Sequence, residues 1–188
     1  MPAVPRTPRH RWVDAGLDAL AVGGPDAVRV EALAAELGVT KGGFYGHFAN
    51  REALLAALLD EWERRVTDDV LRRVEADGGA APAKMRRAGA LTFSEEVLPI
   101  DLAVRAWAHR DESVAARLRR VDNVRIGLLR EQFATYVSDP DEIEARSVLA
   151  FATAIGHHLM AADHGRYGKD RALDLAAAFV MADREAGR

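Results

Sequence analysis

From Arg29 to Arg51 the chain gathers cations, a phenol, an imidazole and a hydroxyl around paired glycines: Arg29, Thr40, Lys41, Gly42, Gly43, Tyr45, His47 and Arg51. Lysine and arginine neutralise phosphates, and the hydroxyls and imidazole add single hydrogen bonds to the same oxygens. No member of the group is a nucleophile set beside its own base. Its chemistry is the holding of a polyanion.

The elements around these residues explain how they would be placed. Val30, Leu33, Ala34 and Leu37 share one apolar helical face, and Gly38 follows where the helix must stop. Val39 is expected as a buried hinge and Thr40 as the N-cap of a second short helix carrying Phe44, Tyr45, His47 and Phe48. Two short helices around a tight turn are the plan of a helix-turn-helix, whose second helix enters the major groove of DNA. Glycine costs about 1 kcal/mol in a helix interior relative to alanine. Close approach of the backbone to DNA is the expected compensation at Gly42 and Gly43. Asn50 is the expected cap of a third helix, with Arg51 in its first turn as a phosphate contact.

The stretch Leu33–Leu55, L-A-A-E-L-G-V-T-K-G-G-F-Y-G-H-F-A-N-R-E-A-L-L, resembles the tetracycline-repressor (TetR) family of bacterial transcription regulators. Tyr-x-His-Phe at Tyr45–Phe48 and Asn-Arg-Glu-Ala-Leu at Asn50–Leu54 are its most specific parts. Weaker likeness continues through Asp101–Asp111 and Arg119–Arg125. Three positions depart from the family pattern: Arg29 stands where a Thr or Ser cap is usual, and Gly43 and Gly46 replace larger side chains. Lys41 and Tyr45 are then the main candidates for reaching base edges. The resemblance implies a homodimer joined through its last two helices, a palindromic double-stranded operator, and repression relieved by a small-molecule effector.

Composition fits an all-α protein. The resemblance implies an N-terminal three-helix head, then a helical ligand-binding and dimerisation bundle, divided as residues 1–55 and 56–188. The net charge of −3 is no obstacle to DNA binding, because Arg6, Arg9 and Arg11 form a locally basic opening segment without an acidic residue. Pro2 and Pro5 make that segment an expected extended arm, and Thr7-Pro8 an expected start for a helix ending near Val22. Leu54, Leu55, Leu58, Leu59, Trp62 and Val66 predict a core-facing helix from Arg51 that continues into the 70s and serves as a lever. Gly78, Gly79 and Pro82 punctuate the chain. Further helices are expected over Ala83–Glu96, Asp101–His109, Ser113–Val137, Asp141–Asp163 and Asp170–Arg184. Ala150, Ala154, Ile155, Leu159 and Ala162 form one apolar stripe, and Leu173, Ala176, Ala177, Phe179 and Val180 another.

Phe93, Trp107, Phe133, Tyr136, Phe151, His157 and Met160 are the candidates for an effector pocket of mixed polarity. The alternative is a helical ligand- or metal-binding protein with degenerate DNA binding. It draws on His157, His158, Asp163 and His164, with His157 and His164 two turns apart on one helical face. No HExxH, phosphate loop or nucleophile elbow accompanies them. The absence of cysteine excludes disulfides and thiolate sites. The expectation is therefore a non-enzymatic protein with no cofactor and no metal, outside the membrane and in the cytoplasm.

Overall fold

The computed structural model describes residues 7–182, and Arg6, Pro2 and Pro5 lie outside them. No strand occurs among the described residues. The helices are α1 (Arg9–Gly23), α2 (Val30–Glu36), α3 (Lys41–Tyr45), α4 (Arg51–Val66), α5 (Asp68–Asp77), α6 (Ala81–Thr92), α7 (Leu98–Ala108), α8 (Glu112–Phe133), α9 (Pro140–Leu159) and α10 (Lys169–Met181). They form two units, one holding residues up to Val70 with Ser94–Arg120, the other Leu71–Phe93 with the residues from Val121 onward.

In the first unit α1 packs on α4 and α7, and α2 packs on α3. Trp12, Leu17, Leu20, Val28, Leu33, Phe44, Leu54, Leu58, Trp62, Val66 and Val104 are among its most deeply buried apolar side chains. Gly16 lets α1 and α4 approach closely, since a Cβ there would lie 2.8 Å from Leu58 Cδ2. Gly38 ends α2 with φ at 67°, a conformation that side-chain-bearing residues resist. Asn50 caps α4, its Oδ1 accepting from the Ala53 N–H at 2.8 Å. Asn50→Ala is expected to lower stability by about 1 kcal/mol. A shift of the urea midpoint with an unchanged slope would show it.

Several expected boundaries are corrected. Pro8, in extended backbone, occupies the N-cap position of α1, and no side chain caps that helix. Arg9 and Arg11 lie on α1, as a helix starting at Thr7-Pro8 requires. Thr40 holds the N-cap position of α3, but its hydroxyl makes no capping bond. Val39 is half-buried.

The lever helix is interrupted as well. α4 ends at Val66, and Thr67 leaves helical geometry while its hydroxyl donates to the Glu63 carbonyl. Asp68 and Asp69 then occupy the first turn of a separate α5, where acidic residues favour the positive end of a helix.

Asp101 is not a helix start: α7 begins at Leu98 and buries Asp101 in its first turn. Asp111 starts α8 instead, accepting from the Ser113 and Val114 N–H groups at 2.9 and 3.3 Å.

The second unit has a core of Met85, Phe133 and Val180, against which Leu129, Tyr136, Ile143, Ala150 and Met181 pack. Arg146, buried on α9, donates to the Val180 and Ala182 carbonyls at the end of α10 and is held by Glu142. It satisfies carbonyls that a helix end leaves without partners. α9 stops at Leu159, because Met160 turns to extended backbone. Ala162 and His164 thus lie beyond the helix, and His157 and His164 do not share a helical face.

Candidate nucleic-acid interface

A five-residue helix cannot hold itself together in water, so the position of α3 must come from packing. The packing is aromatic. Phe44 is fully buried, its ring edge-to-face with Trp12 at 5.5 Å and stacked with Phe48 at 5.3 Å. The Arg9 guanidinium lies 4.8 Å from the Phe48 ring centroid, a cation–π contact. With Phe44 and Phe48 turned inward, Lys41, Gly42, Tyr45 and Gly46 face outward, and Tyr45 is 61% exposed.

The remaining polar residues divide into exposed groups and braces. Arg29 and Thr40 are exposed. Half-buried His47 places its Nε2 2.8 Å from the Thr7 carbonyl, joining the end of the α3 turn to the approach to α1. Half-buried Arg51 donates through Nε to the Val28 carbonyl at 2.7 Å and through a terminal nitrogen to the Pro25 carbonyl. Its guanidinium therefore ties the turn before α2 to the start of α4. Lys41 Nζ meets Glu31 Oε1 at 2.6 Å across the α2–α3 pair. That ammonium holds the Glu31 carboxyl below the ordinary carboxylate range.

Two further contacts escaped notice in the sequence. Trp62 Nε1 on α4 donates to Asp101 Oδ1 on α7 at 3.1 Å, and Arg105 Nε bonds the other carboxylate oxygen at 2.9 Å. The Glu31–Lys41 and Asp101–Trp62 contacts form only through tertiary packing, so no local periodicity marks either.

The candidate effector residues are dispersed. Trp107 is half-buried in the first unit. Nearby, the Ser113 hydroxyl and then the Val114 N–H hold the Asp111 carboxyl below its ordinary range, with a smaller contribution from the Trp107 indole. The other six candidates lie in the second unit. Phe133 is a closed core residue with Tyr136 5.9 Å away, Phe151 is half-buried, and Met160 is 49% exposed. His158 joins Phe93, at 5.4 Å, to buried His157, at 5.2 Å. Burial, followed by the Lys169 charge, lowers the His157 pKa; burial, followed by His157, lowers that of His158. A cleft of about 530 Å³ runs along α7, lined by Gly24, Pro25, Leu98, Leu102, Ala106 and Arg110 among others, and includes none of the seven candidates.

Residues 13–58 match bacterial regulatory proteins of the tetR family, a match that spans α2, α3 and the first half of α4. Over these residues the chain carries the segment shared by that family. Members of that family are regulators and not enzymes. No curated protein matches the sequence.

Solved structures of similar fold cover nearly the whole chain. A transcriptional regulator of Rhodococcus sp. Rha1 is 23% identical, with a TM-score of 0.70 over 93% of this chain and 96% of its own. AibR, solved with isovaleryl coenzyme A and operator DNA, is 17% identical, with a TM-score of 0.65 over 90% and 97%. FadR of Bacillus subtilis, solved with stearoyl-CoA, is 16% identical, with a TM-score of 0.66 over 94% and 99%. At these identities the likeness establishes the fold alone. Among the described residues no helix is long and apolar enough to cross a membrane, and no group of three or more His, Asp or Glu is placed to hold a metal.

Proposed function

We propose that this chain is a tetR-family regulator that binds a palindromic DNA operator as a homodimer and represses transcription until a small-molecule effector releases it. The observation that carries the reading is the outward face of α3, where Lys41 and Tyr45 project from a helix anchored through Phe44 to Trp12. In this reading Lys41 and Tyr45 contact the duplex directly, and Thr40, Gly42 and Gly43 bring the backbone close to it. Arg29 adds a phosphate contact from the start of α2. His47 and Arg51 support the helix through the carbonyls that they hold.

Dimerisation is supported by apolar side chains on and beside the last two helices: Leu159 is 66% exposed, Leu175 42% and Phe179 75%. Monomers rarely leave large apolar side chains this open along neighbouring elements. A two-fold dimer would present two α3 helices to the halves of a palindrome. AibR with operator DNA and isovaleryl coenzyme A, and FadR with stearoyl-CoA, support an effector-responsive regulator. Because α4 ends at Val66, the Trp62–Asp101 bond is the proposed route from α7 into the head. Release requires an effector that binds the two states with different affinity.

Selection from a random duplex pool, followed by fluorescence anisotropy at several salt concentrations, tests the reading. The expected result is an enriched palindrome bound by two chains with steep salt dependence. Lys41→Gln should flatten the slope of log K against log salt by about 0.9, the loss of one phosphate contact. Tyr45→Phe should weaken binding at every salt concentration without changing the slope. If no sequence is enriched and affinity does not depend on salt, the chain is not the proposed DNA binder.

A further inference from the structure

The Lys41–Glu31 pair sets a carboxylate on the face that the proposed function gives to a polyanion. Both side chains are open to solvent, 56% and 65% exposed, so neither the core nor the fold of the unit requires the pair. Glu31 stands in the first turn of α2, and its carboxyl is held below the ordinary carboxylate range first by Lys41, then by its own backbone N–H, with Arg29 the smallest contributor. In the free protein the ammonium that should attract phosphate is already neutralised at 2.6 Å.

We infer that Glu31 is an electrostatic gate on the DNA-binding face: it occupies Lys41 in the free protein, and DNA must displace it. The inference rests on α3 being the DNA-binding element. An exposed ion pair is weak, so a phosphate can take its place. The exchange is not free of consequence. Once Lys41 turns to a phosphate, the Glu31 carboxylate stands bare beside a polyanion and retains a counter-cation that DNA binding would otherwise release. Glu31 therefore lowers affinity for duplexes of any sequence and blunts the salt dependence that Lys41 alone would produce. The exchange trades one ion pair for another, so the gate weighs most on non-operator binding, which is almost purely electrostatic.

The test is anisotropy titration of a non-operator duplex with the unaltered chain, Glu31→Gln, Lys41→Gln and the double variant. Matched thermal unfolding curves should accompany it, since both sites are exposed. Glu31→Gln is expected to bind about fivefold more tightly at about 0.1 M salt, the factor that the loss of a competing surface pair allows. Its salt slope should steepen by about 0.9. In the Lys41→Gln background the same substitution should change affinity less than about twofold, because the gate acts through Lys41. Equal or weaker binding by Glu31→Gln overturns the proposal. So does an equal gain in both backgrounds, which would make Glu31 a general repulsive charge. If the unaltered chain shows no salt-dependent binding, the DNA-binding reading fails first, and the gate falls with it.

Discussion

Asp101→Ala is expected to destabilise the first unit by about 3–5 kcal/mol, the range for breaking a buried charge pair from one side. Asp101 is 1% exposed and accepts from both the Trp62 indole and Arg105, itself only 16% exposed. Alanine removes the acceptor for a buried N–H and the counter-charge of a largely buried guanidinium at once. Asp101→Asn keeps a carbonyl for Trp62 and should cost less. Urea unfolding followed by tryptophan fluorescence separates the two, since Trp62 reports on its own hydrogen bond. A loss below about 1 kcal/mol for the alanine variant would mean that water replaces the carboxylate and that α4 and α7 are not tied here. The substitution also bears on regulation. If Trp62–Asp101 is the route into the head, Asp101→Asn should retain DNA binding but respond less to effector.

Asp101 also shows where reading along the sequence reaches its limit. An Asp ahead of an apolar run is ordinarily a helix cap, and nothing local distinguishes it from a buried carboxylate whose partner is Trp62 on another helix. The helix-turn-helix was legible because its signals are local. Gly38 must adopt positive φ, Asn50 caps within its own turn, and the α4 leucines recur at helical spacing, all in the places expected. The break at Thr67 was not legible, because apolar periodicity continues through Val66, Val70 and Val74 while the backbone interrupts the helix. Lys41 and Tyr45 stood out as candidate DNA contacts because Gly43 and Gly46 leave few other side chains on α3. The Glu31 carboxylate against Lys41 did not, since it depends on how α2 crosses α3. The effector residues were the least legible. Aromatic and histidine side chains at helical spacing look alike whether they close a core, as Phe133 does, or stand open, as Met160 does.

Gly43 gives the clearest separation of fold from function. A Cβ at Gly42 would meet only Thr40 Oγ1 at 3.6 Å, and one at Gly43 only Trp12 Cζ2 at 3.7 Å, both ordinary contacts. Neither glycine has positive φ. The fold therefore accepts alanine at both positions, and helix propensity favours it by up to about 1 kcal/mol each. Gly43→Ala is accordingly expected to hold or raise the unfolding midpoint. If the first turn of α3 lies against DNA, added bulk pushes the helix away and all its contacts lengthen together. Gly43→Leu should then weaken operator binding at least tenfold, and Gly42→Leu likewise, with unfolding midpoints showing that the head remains folded. Loss of affinity without loss of stability assigns the glycines to the duplex. Full affinity in a stable Gly43→Leu variant would place the duplex away from this turn and leave Lys41 and Tyr45 to reach it through side-chain length alone.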